Sequence, residues 1–267
     1  MVRAGPAILV ILALFLSASA ASAQRPGGGG RFSAPISGDF GAWLPAPGLN
    51  ATFANGTICT PIASPYGSPT RYDGSQRMTG GAGGLHGGID LTLTEGTPLH
   101  AIAPGQILGQ GEGGMMEGIY LWLLHLPQHT GLAYGFVSKY QHLAERPVLA
   151  NGTSVGLGQV IAKAGRTGTV GGYYGGQGYP HLHLTVRSIL PEKLAAAAAA
   201  ALGGDDFRIN RDSVLVDPLT IYVPDLQSPA DAASLPLDRK TVIVGYVDQG
   251  GKLQLGPAKF VWPVACP

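Results

Sequence analysis

Between Ile89 and Arg187 the apolar positions either alternate with polar ones or gather in short continuous runs. Alternation with a period of two marks a half-buried strand, and a short apolar run bounded by turn residues marks a buried one. The pattern predicts strands over 89–94, 99–103, 105–108, 119–126, 133–142, 160–164 and 181–187. In the last of these, His181, His183, Thr185 and Arg187 alternate with Leu182, Leu184 and Val186. No helical period competes in this region. The exception follows at 191–202, where seven consecutive alanines (195–201) predict a helix ended by Gly203-Gly204. It carries no chemistry and reads as a surface insertion. Beyond Tyr222 the chain is loop-like until a predicted hairpin: a strand over 241–247, a turn over 248–251 and a return over 253–264.

Composition supports a turn-rich, sheet-rich protein. The 267 residues include 42 Gly and 21 Pro. Only 12% are charged and the net charge is +1, so a nucleic-acid surface is not expected and attraction to an anionic polymer would have to be local. The N-terminus reads as a secretory signal over 1–23: Arg3, an apolar run over 7–16, then Ala21-Ser22-Ala23 as a small-residue cleavage site. That run is half the about twenty residues needed to span a bilayer, so no transmembrane anchor is expected. The mature protein should be exported, periplasmic or extracellular. The two cysteines, Cys59 and Cys266, suit a disulfide in that compartment. It would clip the tail to the segment just before the central strands. The expected organisation is a signal over 1–23, a Gly-rich leader and N-terminal segment over 24–55, a principal domain over 56–225 with an insertion at 188–213, and a C-terminal extension with the hairpin over 226–267. Asn50, Asn55 and Asn151 match the glycosylation triplet, but Asn-Gly is ordinary turn chemistry and is read so here.

The candidate chemistry lies in His86-Gly-Gly-Ile-Asp90, Tyr140-Gln-His142-Leu143 and His181-Leu-His183. Positions i and i+4 share a face on a strand as well as on a helix, and Gly87-Gly88 opposes helix. His181 and His183, two apart, point to one side of a strand. His and Asp donors suit zinc, and three protein ligands leave a fourth position for water. Two further histidines then remain to move protons or hold charge. Each pair alone is weak; the case rests on having all of them, in order, between strands. His100, His125 and His129 are read as structural, and Glu95, Glu112 and Glu117 as solvated loop carboxylates. No His-Glu-x-x-His is present, which excludes a helix-borne zinc site with a Glu base.

These segments resemble the lysostaphin-type (LytM-type) zinc metallopeptidases. The likeness is carried by His86-Gly-Gly-Ile-Asp90, Gly96-Thr-Pro-Leu, Ala103-Pro-Gly105, Tyr140-Gln-His142-Leu143, Val155-Gly-Leu-Gly-Gln-Val-Ile161, Gly165-Arg-Thr-Gly168 and His181-Leu-His183-Leu, in the family's order. Ser64-Pro-Tyr-Gly67 and Asp217-Pro218 extend it to about 64–222. The resemblance implies a mostly β fold, a compact antiparallel β-sheet domain with the site in a groove between loops. It implies that His86, Asp90 and His183 bind one Zn2+ per chain and that His142 and His181 are the catalytic pair. It implies hydrolysis of amide bonds in peptidoglycan cross-links or stem peptides, by a monomer. Two departures stand out. The Gly- and Tyr-rich segment over 169–180 is longer than usual and should wall the groove, its tyrosines shaping substrate choice. The Ala-rich insertion is also unusual.

Two other readings compete. A non-catalytic peptidoglycan-binding or activator module would be expected to lose zinc ligands, whereas this chain keeps all five polar positions. A cupin-like metal barrel also uses His-x-His, but it wants a Glu shortly afterwards, where Leu184-Thr-Val-Arg187 supplies none, and a later His, where none follows His183.

Overall fold

The structure, a computed structural model, describes Met1 and residues 41–77, 84–114, 116–169 and 178–267. The signal sequence, most of the leader and positions 170–177 of the Gly- and Tyr-rich segment lie outside the described residues. In chain order the strands are β1 (Asn50–Phe53), β2 (Ile89–Thr92), β3 (Pro98–His100), β4 (Gly105–Glu112), β5 (Ile119–His125), β6 (Phe136–Gln141), β7 (Ser154–Val155), β8 (Val160–Lys163), β9 (His181–Ile189), β10 (Ser213–Val216), β11 (Thr241–Val244), β12 (Tyr246–Val247) and β13 (Leu253–Gln254). The helices are α1 (Pro127–Thr130), α2 (Leu194–Ala201) and α3 (Ile209–Asp212), with short 3-10 turns between.

A seven-stranded antiparallel sheet organises the molecule, in the order β10-β9-β6-β5-β4-β7 with β2 as the seventh strand, paired to β9. The strand β9 is central. It pairs with β6 along one edge, and along the other with β2 at its start and β10 at its end. Its alternation works as the pattern predicts. Leu182, Leu184 and Val186 are fully buried in the main core with Ile89, Leu91, Leu121, Leu123 and Tyr140, while His181, His183 and Thr185 stand on the opposite face.

The strands β1, β7 and β10 are not expected from the sequence, and three expected elements differ in extent or packing. The first is β4, which continues to Glu112 instead of stopping at Leu108. Glycines at 109 and 111 hide the strand from a periodicity reading, yet a Cβ at Gly111 would lie 2.7 Å from the Tyr120 hydroxyl. Gly111 leaves room for the Tyr120 ring of β5. The second is the Ala-rich helix α2, which is packed as well as attached. Ala197, Ala200 and Ala201 are buried in a second core with Leu108, Trp122 and Leu124. Methyl side chains let the helix approach the sheet closely.

The third is the C-terminal hairpin, which is reduced to β12 and β13, two residues each. The strand expected over 241–247 breaks at Gly245. Its first half, β11, pairs in parallel with β1 from the N-terminal segment. The Cys59–Cys266 disulfide, with Cα atoms 4.9 Å apart, ties the same two chain ends together. No described helix is long and apolar enough to cross a membrane.

Candidate functional site

Three ladders bring the sequence motifs to one place. Asp90 on β2 lies directly opposite His183 on β9. Gln141, the last residue of β6, lies opposite His183 on the other edge, so His142 follows beside it. His86 enters from the turn before β2, its backbone N–H donating to the Ser68 carbonyl at 3.0 Å. All five predicted residues therefore meet at one end of β9. Two glycine features make this approach feasible. A Cβ at Gly88 would sit 2.4 Å from the Leu184 carbonyl oxygen and 2.9 Å from His183 Nε2. A Cβ at Gly165 would meet the Ala144 backbone at 2.4 Å, where the chain crosses behind His142.

His86, Asp90 and His183 form a tight triangle. His86 Nε2 is 3.1 Å from Asp90 Oδ1 and 3.0 Å from His183 Nδ1, and His183 Nδ1 is 2.8 Å from Asp90 Oδ1. Zinc bonds of about 2.0–2.1 Å in tetrahedral geometry place ligand atoms roughly 3.3 Å apart, so the triangle has the right size and donor set. The hydrogen bonding points the same way. His86 Nδ1 lies 3.0 Å from the Pro65 carbonyl, which can only accept. The N–H of the neutral ring is thus at Nδ1, and Nε2 turns a lone pair toward the Asp90 carboxylate. Two acceptors at that distance repel unless a cation, or a second proton on the ring, lies between them. His183 Nε2 is held by Thr185 Oγ1 at 3.0 Å.

His142 and His181 stand beside the triangle, their ring centroids 4.5 Å apart. Each Nδ1–H donates to a backbone carbonyl: His142 to Thr167 at 2.8 Å and His181 to Tyr179 at 2.9 Å. Both rings therefore keep a lone pair at Nε2, and His181 Nε2 is 3.9 Å from Asp90 Oδ1. His142 adopts φ 62°, a left-handed conformation unusual for a non-glycine residue. Outside His181, the Tyr179 ring stacks on the imidazole at 4.6 Å and Tyr72 stacks on Tyr179 at 3.8 Å. Tyr179, the described tyrosine of the Gly- and Tyr-rich segment, thus lies against a site histidine.

Burial controls the protonation of the group. It lowers the pKa of His142 well below the ordinary value, with the neighbouring histidines adding to the effect, and it lowers those of His181 and, to about 4, His183. For Asp90 burial acts the other way, but contacts with His183 and His86 outweigh it and hold the carboxyl well below the usual range. At neutral pH His142, His181 and His183 are neutral imidazoles beside the Asp90 carboxylate.

The remaining titratable residues are elsewhere. His100 donates from Nδ1 to the Gly158 carbonyl, fully buried His125 is held between the Pro104 carbonyl and Ser138 Oγ, and His129 is exposed on α1. Glu95 and Glu112 are exposed, as read from the sequence, each beside an arginine, and only Glu117 departs from the solvated reading. Glu95 pairs with Arg166, Glu112 with Arg146 at 3.5 Å, and Glu117 with buried Lys139, which lies over the Tyr120 ring at 4.5 Å. Ser64, Arg77 and Thr185 also touch the site residues; Ser64 lies in the Ser64-Pro-Tyr-Gly67 segment and Thr185 on the strand face of His183, but Arg77 carries no local sequence signal. Each is an ordinary residue made relevant by a pairing partner.

Residues 84–195 match the model of peptidase family M23, which bears out the lysostaphin-type resemblance. Among solved structures, the chain is similar to the catalytic domain of the antimicrobial peptidase lysostaphin from Staphylococcus simulans (28% identity, 46% of this chain and 77% of that one, TM-score 0.34). It is also similar to LytU (23% identity, 49% and 75%, TM-score 0.35). A third is the catalytic domain of the prophage-encoded M23 protein EnpA from Enterococcus faecalis (20% identity, 52% and 87%, TM-score 0.34). No curated protein matches.

Proposed function

We propose that this chain, carrying a peptidase family M23 unit at 84–195, is an exported zinc-dependent endopeptidase that hydrolyses peptide bonds in peptidoglycan cross-links or stem peptides. The carrying observation is the convergence of His86, Asp90 and His183 on one point, with His142 and His181 beside it. In this reading His86 Nε2, Asp90 Oδ1 and His183 Nδ1 hold the metal. Bound zinc supplies Lewis acidity, polarising a carbonyl and lowering the pKa of a water.

The rest falls to the protein. Thr185 and the Pro65 carbonyl fix the outer nitrogens of the two ligand imidazoles and so their orientation. The carbonyls of Thr167 and Tyr179 fix the tautomers of His142 and His181, leaving both Nε2 atoms directed at the reacting centre. One of the pair accepts the proton of the attacking water at Nε2 and passes it to the leaving amine nitrogen. The other, its lone pair also at Nε2, accepts a hydrogen bond from the attacking water and orients it. Depressed pKa values keep both imidazoles able to accept a proton at neutral pH.

The test is digestion of purified peptidoglycan by the protein with zinc and after chelation, read by mass spectrometry of the released muropeptides. Cleaved peptide cross-links or stems with zinc, lost on chelation and regained on zinc return, are the expected result. Stoichiometric zinc with no cleaved peptide bond would remove the enzymatic reading.

A further inference from the structure

Arg77 approaches the metal triangle from the segment before it. Its Nη2 donates to Ser64 Oγ at 2.7 Å and lies 3.4 Å from Asp90 Oδ2, and its Nε donates to the Thr70 carbonyl at 3.2 Å. The guanidinium is therefore held against the carboxylate oxygen that His86 and His183 do not share. Asp90 is its one acidic partner among the described residues. The same carboxylate is the one anionic donor in the triangle. With a divalent ion in place, a single negative charge faces both the ion and the guanidinium, and the centre carries excess positive charge. Among the described residues no other carboxylate pairs with Arg77 to offset it. Arg71, on the same segment, gives Nη1 hydrogen bonds to neutral acceptors, Ser75 Oγ and the Gln76 carbonyl.

Buried, uncompensated charge is unfavourable, and a charged partner brought by the substrate relieves it. The Arg77 side chain keeps 18% exposure, so part of its fork remains reachable. A planar guanidinium suits a carboxylate.

We infer that Arg77 forms a carboxylate subsite beside the scissile amide, which selects acidic peptide links over neutral ones. This rests on the peptidase reading and narrows the class of cross-link that it leaves open. A D-Ala–diaminopimelate cross-link bears a free carboxylate on the carbon bonded to the scissile nitrogen, whereas an internal glycine–glycine bond has none. The structure therefore assigns the protein to the acidic class.

The experiment uses two synthetic cross-link peptides that differ only in that group, free carboxylate against carboxamide. Calorimetry measures their binding to the full-length zinc-loaded His142→Ala protein, and kcat/KM is measured for both, and for pentaglycine, with the unmutated protein. The free-carboxylate peptide should bind about 10-fold or more tightly, the scale of one charge-assisted hydrogen bond. Arg77→Gln should erase the preference with zinc retained, and Arg77→Lys should restore part of it. Equal or absent affinity for the two peptides, or a preference that survives Arg77→Gln, overturns the subsite. So does an Arg77→Gln protein that loses zinc and both peptides alike, because Arg77 would then act only by holding Asp90. Selective binding without cleavage of any peptide would leave the subsite standing and refute the peptidase.

Discussion

Asp90 and His183 face each other in register across the β2–β9 ladder, with Asp90 Oδ1 2.8 Å from His183 Nδ1. Neither contact depends on a loop. His181, two residues away on the same strand face, makes no such pairing with Asp90; its Nε2 lies 3.9 Å from Asp90 Oδ1. Ligand and catalyst are thus separated by strand register. Under the proposed roles, His183→Ala should lose both zinc and activity. His142→Ala and His181→Ala should keep near-stoichiometric zinc while turnover falls about a hundred- to ten-thousand-fold. Metal analysis beside a muropeptide assay decides it; zinc retained by His183→Ala and lost by His142→Ala would reverse the assignment.

Gly88 keeps the space that His183 needs. Gly88→Ala places a methyl group against the Leu184 carbonyl and the His183 ring. It should destabilise the fold by about 1–3 kcal/mol and weaken zinc binding roughly 10-fold or more, as when a metal ligand loses its orientation. The control is Gly87→Ala, whose Cβ would meet only Leu215 Cδ2, at 3.5 Å. Chelator competition on the two variants should separate them, and equal zinc affinity would refute the steric argument.

His142 sits in a left-handed conformation that disfavours any side chain. His142→Gly should therefore be more stable than His142→Ala by about 1 kcal/mol, with both nearly inactive. Urea unfolding of the two proteins measures the difference. An alanine variant at least as stable would mean that the turn carries no strain.

The Cys59–Cys266 bond closes a loop across 207 positions. Reduction, or Cys59→Ser with Cys266→Ser, should lower unfolding stability by about 2–5 kcal/mol. The effect should fall on β1, β11 and the C-terminal tail, which hydrogen exchange can locate. An unchanged denaturation midpoint would show that chain ends so joined gain nothing from the bond.

His125 is buried between the Pro104 carbonyl and Ser138, and burial, opposed in part by the Pro104 hydrogen bond, lowers its pKa from 6.5 to about 4. The folded protein therefore holds the proton less tightly than the unfolded chain. This stability is present in full above pH 6.5 and is lost as pH falls through about 4, amounting to roughly 3 kcal/mol. Unfolding free energies across that window should fall more steeply for the unmutated protein than for His125→Gln. Parallel curves would mean the ring is free to charge in the folded state.

Much of this could be read along the chain. Alternation over β9 assigned His181 and His183 to one face and Leu182, Leu184 and Val186 to the core, because a strand has a two-residue period whatever surrounds it. The spacing of His86 and Asp90 brought both to the start of one strand, although only Asp90 lies on β2 and His86 enters from the turn before it. Seven alanines declared α2 by intrinsic propensity.

Tertiary structure alone decided the rest. β1 and β11 pair in parallel at a separation of about 190 positions, Arg77 reaches Asp90, Tyr179 covers His181, and Glu117 finds Lys139. Local sequence determines which way a side chain points from its own strand. Which strand lies alongside is set by burial of whole faces across the chain, and neither a lone arginine nor a short C-terminal strand leaves any periodic trace of its partner.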